Sequence, residues 1–192
     1  MRDLTWKLTE SKYLHKDTWA TIRVDTCVKP DGVVITPYYV YEFPDWVTAI
    51  AFTKDGKIIL ERQYRHALQK TIYEIPGGCV DKSDANYEAA IARELLEETG
   101  YQFSKFTYLG TTSANPSTNT NTMHMYLALD GELVQDQQLD AGEDLEVLLV
   151  SIEEFLKLFE SGAFVQAMHM TAIHLALKEL GWLHIHLPKV GL

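Results

Sequence analysis

The chain has 192 residues, 46% of them hydrophobic and 23% charged, which excludes a disordered chain and suits one domain, or one domain with a small appendage. Its 17 basic against 27 acidic residues give a net charge of −10, which argues against gripping a nucleic-acid backbone. No apolar run approaches the roughly 18 residues of a membrane span. The opening MRDLTWKLTESKY lacks a signal's apolar stretch, and two cysteines, Cys27 and Cys79, cannot make a disulfide scaffold, so a reducing cytoplasm is expected.

The first half reads as strands. Thr18–Val28 alternates apolar and polar residues, Pro30-Asp31-Gly32 supplies a turn, and Val33–Phe43 returns as the second arm of a hairpin. Pro44 then punctuates the chain, which predicts a strand-rich extension over 1–44 and a main domain over 45–192. Trp46–Thr53 and Lys57–Tyr64 form a second hairpin around Lys54-Asp55-Gly56, and Thr71–Ile75 is a short strand ending at Pro76-Gly77-Gly78. Ala85–Thr99 has the composition of a helix, with Asp84 as its N-cap and Gly100 just past its end. Phe106–Gly110 and Met123–Leu129 are strands separated by the uncharged polar loop Thr111–Thr122. A continuous apolar strand, Leu145–Val150, precedes helices over Ile152–Glu160 and Phe164–Leu180. Strands gathered early and helices late predict an α+β fold.

The chemistry concentrates between Gly77 and Tyr101. Glu94, Glu97 and Glu98 stand at i, i+3 and i+4 and share one helix face. Like charges at that spacing repel, and a run of this kind is ordinarily a solvated face with Arg93 relieving part of the strain. The alternative is a bound hard cation, since Mg²⁺ takes oxygen ligands from a few carboxylates together with substrate phosphates.

A strand ending in Pro-Gly-Gly, then a loop, then a helix carrying Arg93-Glu94-Leu95-Leu96-Glu97-Glu98-Thr99-Gly100 resembles the Nudix hydrolase signature, G-x5-E-x7-R-E-U-x-E-E-x-G-U. Gly78, Arg93, Glu94, Leu95, Glu97, Glu98 and Gly100 match it. The spacing from Gly78 to Arg93 is one residue longer than the pattern. The first Glu is missing, with Asp84 nearest, and Tyr101 stands at the last aliphatic position. The extra residue falls in the loop, so the glutamate register survives.

The resemblance implies a Nudix-type α/β/α sandwich with a mixed sheet, and metal-dependent cleavage of a nucleoside diphosphate linked to another group. It implies Mg²⁺, with Mn²⁺ as substitute, held by Glu94 and Glu98, with Glu97 as a further ligand or water-orienting base and the Gly78 carbonyl as a backbone ligand. Glu97, Glu98 and Glu143 are the expected catalytic side chains. From about Thr18 to Leu180 the chain resembles the ADP-ribose and nucleotide-sugar pyrophosphatase branch. There, the arginine matching Arg65 contacts substrate phosphates, for which its fork of donors is suited. In the same branch the N-terminal extension exchanges between two protomers and completes the partner's substrate site. Trp19 is its nearest match to a base-stacking aromatic, with Tyr38 or Tyr39 behind it, and core packing is the competing role for each. In the acidic turn Ala141–Glu146, Glu143 matches a residue that can ligate metal. Ala141 stands where some relatives carry a glutamate base, so Asp140, Glu143 and Glu97 remain alternatives. Two other functions stay open: hydrolysis of nucleoside tri- or polyphosphates, and a catalytically silent nucleotide sensor. The expected partners are a nucleoside-diphosphate-linked small molecule and a second copy of the chain, with no nucleic acid and no membrane.

Overall fold

The computed structural model describes residues 1–17 and 20–183, so Trp19, His184 and His186 lie outside the described residues. The chain divides into two compact units. One holds residues 1–45 with Ser113–Thr122, and the other holds Trp46–Thr112 with the chain from Met123 onward.

The first unit is an antiparallel sheet of β1 (Lys7–Lys16), β2 (Thr21–Val28) and β3 (Val34–Glu42), in that order. The expected hairpin is β2–β3, and its first arm among the described residues is Thr21–Val28. Strand β1 was not anticipated from sequence. All ten of its residues are exposed, so it carries no apolar alternation to announce it. The unit is tied by charge more than by oil. Asp25 is buried and accepts from Ser11 Oγ at 2.6 Å and from Arg23 Nε, and Arg23 also pairs with Glu42. The polar loop is fixed to β3 by main chain, with Tyr41 N donating to Thr118 O at 2.7 Å and Thr120 N to Tyr41 O at 3.1 Å.

The second unit is built on a mixed seven-stranded sheet. Its strands are β4 (Trp46–Thr53), β5 (Ile58–Arg65), β6 (Lys70–Glu74), β7 (Tyr101–Gln102), β8 (Lys105–Thr112), β9 (Met123–Leu133) and β10 (Leu145–Val150). The order is β10-β5-β4-β9-β7, with β6 on β5 and β8 on β9; β4 and β9 run parallel. Helix α1 (Tyr87–Thr99) covers one face over Val47, Ala49, Ala51, Ile59 and Ala128. The other face packs Ile50, Phe52, Ile58, Leu60, Met125 and Leu127 under α2 (Ile152–Glu160) and α3 (Ala167–Glu179). Strands β4 and β5 supply both cores, which is why Trp46–Thr53 reads as a nearly unbroken apolar run. The result is an α+β, α/β/α sandwich with an N-terminal antiparallel sheet.

Helix α1 starts two residues later than its composition suggests. Asn86, not Asp84, is the N-cap, its side chain accepting from Ala89 N at 2.8 Å. Both residues can cap, but Asp84 is taken by Arg93.

Candidate active site

On β5, alternation puts Glu61, Gln63 and Arg65 on the same face as Ile59, the face toward α1. Antiparallel pairing sets Glu74 of β6 opposite Glu61. The chain then leaves β6 into Pro76-Gly77-Gly78, which β4 holds in place. Ala49 N donates to Pro76 O at 3.1 Å, and Val47 N to Gly78 O at 2.9 Å. Gly77 has φ +150°, and a Cβ there would sit 2.2 Å from the Val47 carbonyl oxygen, so only glycine lets the loop lie this close to β4. At Gly78 a Cβ would fall 2.6 Å from Glu94 Oε1, in the space the Glu94 carboxylate uses.

The three-acid face of α1 divides. Glu94 and Glu98 are buried, whereas the Glu97 side chain is 41% exposed. Glu98 Oε2 accepts from Gly77 N at 2.9 Å. Arg93 draws Glu97 aside, donating to its Oε2 at 2.9 Å, and also grips both Asp84 oxygens at 3.0 Å and Cys79 O at 2.9 Å. Its Nη1 lies 3.1 Å from Glu94 Oε1. The hydrogen bonds to Asp84 raise the Arg93 pKa and lower that of Asp84. Arg93 thus clips the loop to the helix, which explains how the longer loop keeps its place.

Burial pushes the Glu94 carboxyl up to about 7 despite the opposing charge of Arg93. Glu98 is also raised, by burial and then by the charges of Glu61 and Glu94. Glu61 is raised by burial first, with the charge of Glu74 adding to it and Glu98 opposing in part. Its Oε1 is buried with no hydrogen-bond partner among the described residues. Glu74, also buried, accepts from Arg65 Nε at 2.8 Å. Glu61 and Glu74 were not singled out from sequence. The signal was there: each is a carboxylate at an inward strand position beside apolar residues, Glu61 after Ile59-Leu60 and Glu74 between Tyr73 and Ile75.

Glu143 lies half-buried, and its Oε2 accepts from Asp140 N at 2.9 Å within its own turn. Its charge nonetheless acts on Glu61, Glu94 and Glu98. Among the described residues, no three His, Cys, Asp or Glu side chains converge on one metal-sized point. The donor set still suits a hard divalent cation. It consists of carboxylate oxygens, two of them pressed against a glycine loop, in a place where uncompensated charge is costly. The Gly78 carbonyl already accepts one hydrogen bond from Val47 N, leaving one lone pair for any ligand role. Burial and Glu94 raise the Cys79 thiol, which disfavours the reactive thiolate.

In the first unit Tyr39 is 49% exposed on β3, whereas Tyr38 donates its hydroxyl to Ser117 O at 2.6 Å. His169 of α3 is buried, its Nδ1 has no hydrogen-bond partner among the described residues, and burial followed by the charge of Arg65 lowers its pKa to about 3. It is therefore neutral at physiological pH.

Comparison with known proteins finds a match to the NUDIX domain over residues 43–168, and to the nucleoside diphosphate sugar hydrolase N-terminal domain over residues 6–41. An ADP-ribose pyrophosphatase of Bacillus subtilis (strain 168) is 37% identical over 142 residues, covering 73% of this chain and 76% of that protein. A GDP-mannose pyrophosphatase of Escherichia coli O9:H4 (strain HS) is 27% identical over 157 residues, covering 76% and 80%. The crystal structure of an ADP compounds hydrolase shares the fold, with a TM-score of 0.80 at 23% identity over 95% of this chain and 100% of that one.

Proposed function

The chain belongs to the Nudix hydrolase family, and from that premise we propose that it hydrolyses the diphosphate bond of ADP-ribose or a related nucleoside diphosphate sugar, giving a nucleoside monophosphate and a sugar phosphate. The observation that carries this reading is the pair of buried carboxylates, Glu94 and Glu98, set against the Gly77–Gly78 loop. They would hold a divalent cation, Mg²⁺ first and Mn²⁺ as substitute. When bound, such an ion neutralises diphosphate charge and acidifies water.

The chain's own residues have distinct tasks. Gly77 N–H orients Glu98, and Arg93 fixes the loop and holds Glu97 outward, where its exposed carboxylate can accept a proton from an attacking water. Glu143, in a turn whose charge reaches the same acids, is the other base and a further ligand in this reading. Arg65 keeps its Nε on Glu74 while its side chain stays 46% exposed at the strand end, suited to a phosphate. Tyr39 is the described aromatic that best suits stacking on a base; Trp19 retains that role only as a sequence expectation. The extension over 1–44 would be the dimerisation element of a homodimer, and its exposed Leu8, Tyr13 and Leu14 support that.

The nucleotide-sugar reading stands ahead of triphosphate hydrolysis because residues 6–41 match the N-terminal domain of nucleoside diphosphate sugar hydrolases. The test is product analysis with Mg²⁺ on ADP-ribose, GDP-mannose and a nucleoside triphosphate. Nucleoside monophosphate plus sugar phosphate is expected. Turnover of the triphosphate alone, with pyrophosphate released, would replace this reading, and metal-independent binding without turnover would favour the sensor.

A further inference from the structure

We propose that Gln137 is a positioning residue: with Gln135 and Gln138 it straps the last turn of α1, and so fixes Glu97 and Glu98 for the reaction. The inference rests on the reading of those acids given above, and adds a residue that acts on them through their main chain. An α-helix leaves its last four carbonyls without partners inside the helix, and its last turn frays first. In α1 that turn holds Glu97 and Glu98, and it contains no basic side chain to meet its carbonyls. The Gly100 cap answers Leu96 O. The next two carbonyls are answered from outside the helix. Gln138 N donates to Glu97 O at 2.8 Å, and Gln137 Nε2 donates to Glu98 O at 2.6 Å. Gln135 Nε2 adds a longer contact, 3.4 Å, to Leu96 O, and Val134 N donates to Gly100 O at 3.0 Å.

The strap lies directly on the helix end. Gly100 has φ +76°, and a Cβ there would fall 2.1 Å from Gln135 O, so this glycine both ends the helix and admits the strap. A groove of about 480 Å³, walled by Thr99, Tyr101, Leu133, Val147 and Leu149, opens beside residues 135–137, so hydrogen bonds to α1 do more than packing to fix this stretch. From Gln138 the chain runs to the turn 140–143, which is closed on itself by Asp140 N donating to Glu143 Oε2 and Glu143 N to Asp140 O, both at 2.9 Å. It rejoins the sheet at Leu145, opposite Gln63 of β5. The strap is therefore the near anchor of the Glu143 turn as well as the clamp on the helix. The Gln137 side chain is exposed, so water can replace its amide on the Glu98 carbonyl and the fold survives its loss. Water cannot supply the tie between two chain segments. Gln137 holds the Glu98 main chain while Gly77 N–H holds the Glu98 carboxylate, so one acid is fixed at both ends by different loops.

The test joins amide hydrogen exchange of the metal-free full chain to kinetics on ADP-ribose and GDP-mannose with Mg²⁺. Gln137→Glu keeps the side chain's shape but replaces the amide donor with an acceptor that repels the carbonyl. Gln137→Ala removes the donor alone, and Gln137→Lys restores one. In the Glu and Ala variants exchange over residues 97–100 and at Gln138 should quicken by about tenfold or more, with residues 87–93 unchanged. Their kcat should fall about tenfold with KM within about twofold of the parent, because misplaced groups slow the chemical step rather than weaken binding. The melting temperature should stay near that of the parent, and Gln137→Lys should recover most of the exchange protection and of kcat. Parent-like exchange in either folded variant would overturn the strap. Faster exchange with parent kcat, or activity lost only in step with a lower melting temperature, would leave a structural cap and overturn the positioning role. A parent that turns over neither substrate would overturn the hydrolase reading and the positioning role with it, a failure seen in the parent and so distinct from one confined to the variants.

Discussion

Glu61, Glu94 and Glu98 retain 3%, 7% and 6% of their surface, while Leu8, Tyr13 and Leu14 of β1 expose 52%, 48% and 55% of theirs. The second unit hides charge, and the first leaves oil in water. Removing a carboxylate from water costs several kcal/mol unless something compensates it, and leaving a leucine exposed forgoes about 1.5–3 kcal/mol. Neither arrangement favours an isolated chain. On the functions proposed above, both are completed from outside, Glu94 and Glu98 by a cation and the strand by a second copy.

The contrast is broken most severely at the acids. Glu98→Gln and Glu94→Gln should each lower kcat by 10²–10³, a loss of about 3–4 kcal/mol of transition-state stabilisation. The fold should survive, and metal-free stability should rise as repulsion is relieved. Steady-state kinetics at saturating Mg²⁺ and thermal melting check both halves. Near-normal turnover in both variants would remove the metal role.

Arg65 comes next, because it serves a buried acid and an exposed strand end at once. Arg65→Lys keeps the charge but not the fork, and kcat/KM should fall by about 10–100-fold. A Lys variant as active as the parent would return Arg65 to the role of partner to Glu74 alone.

On the exposed side, Leu14→Asp should weaken association by about 2 kcal/mol, roughly thirtyfold in Kd, if a second copy covers β1. Sedimentation of parent and variant over a concentration series reads this directly. A parent that sediments as a 21.9 kDa particle at every concentration would refute the dimer. Deleting residues 1–43 should give monomer or aggregate with poor substrate binding.

A last effect, on stability alone and absent at neutral pH, concerns a buried group that stays uncharged. His169 titrates near 3 in the folded protein against an ordinary 6.5, so between these values the unfolded chain binds the extra proton. Its contribution is complete above pH 6.5 and is lost toward pH 3, at up to about 1.4 kcal/mol per pH unit. Urea unfolding of the parent and of His169→Leu at pH 7, 5 and 4 should show the difference in slope. Parallel pH profiles would mean that the imidazole already titrates normally in the fold.

Local spacing made the helix face legible, since a 3.6-residue period fixes the relation of Glu94, Glu97 and Glu98 wherever the helix lies. It also gave the hairpins, the Pro-Gly-Gly turn and the Gly100 cap, because turn and cap chemistry acts over a few residues. Which of the three acids goes inward was not local. Arg93 draws Glu97 toward itself, while Gly77 and Gly78 admit the other two, and that division depends on a loop meeting a helix. The choice of Asn86 over Asp84 as cap has the same origin, an Arg93 contact nine residues along the chain from Asp84. Strand β1 left no trace because a strand exposed on both faces has no alternation to show. Glu61 stood in view within Ile58–Arg65, but its burial required β6, β10 and α1 to close around it. Sequence determines period and turn chemistry, which are set by bonded neighbours; burial and the company a charge keeps are set by pairing between distant segments, and here that pairing decided which carboxylates lost their water.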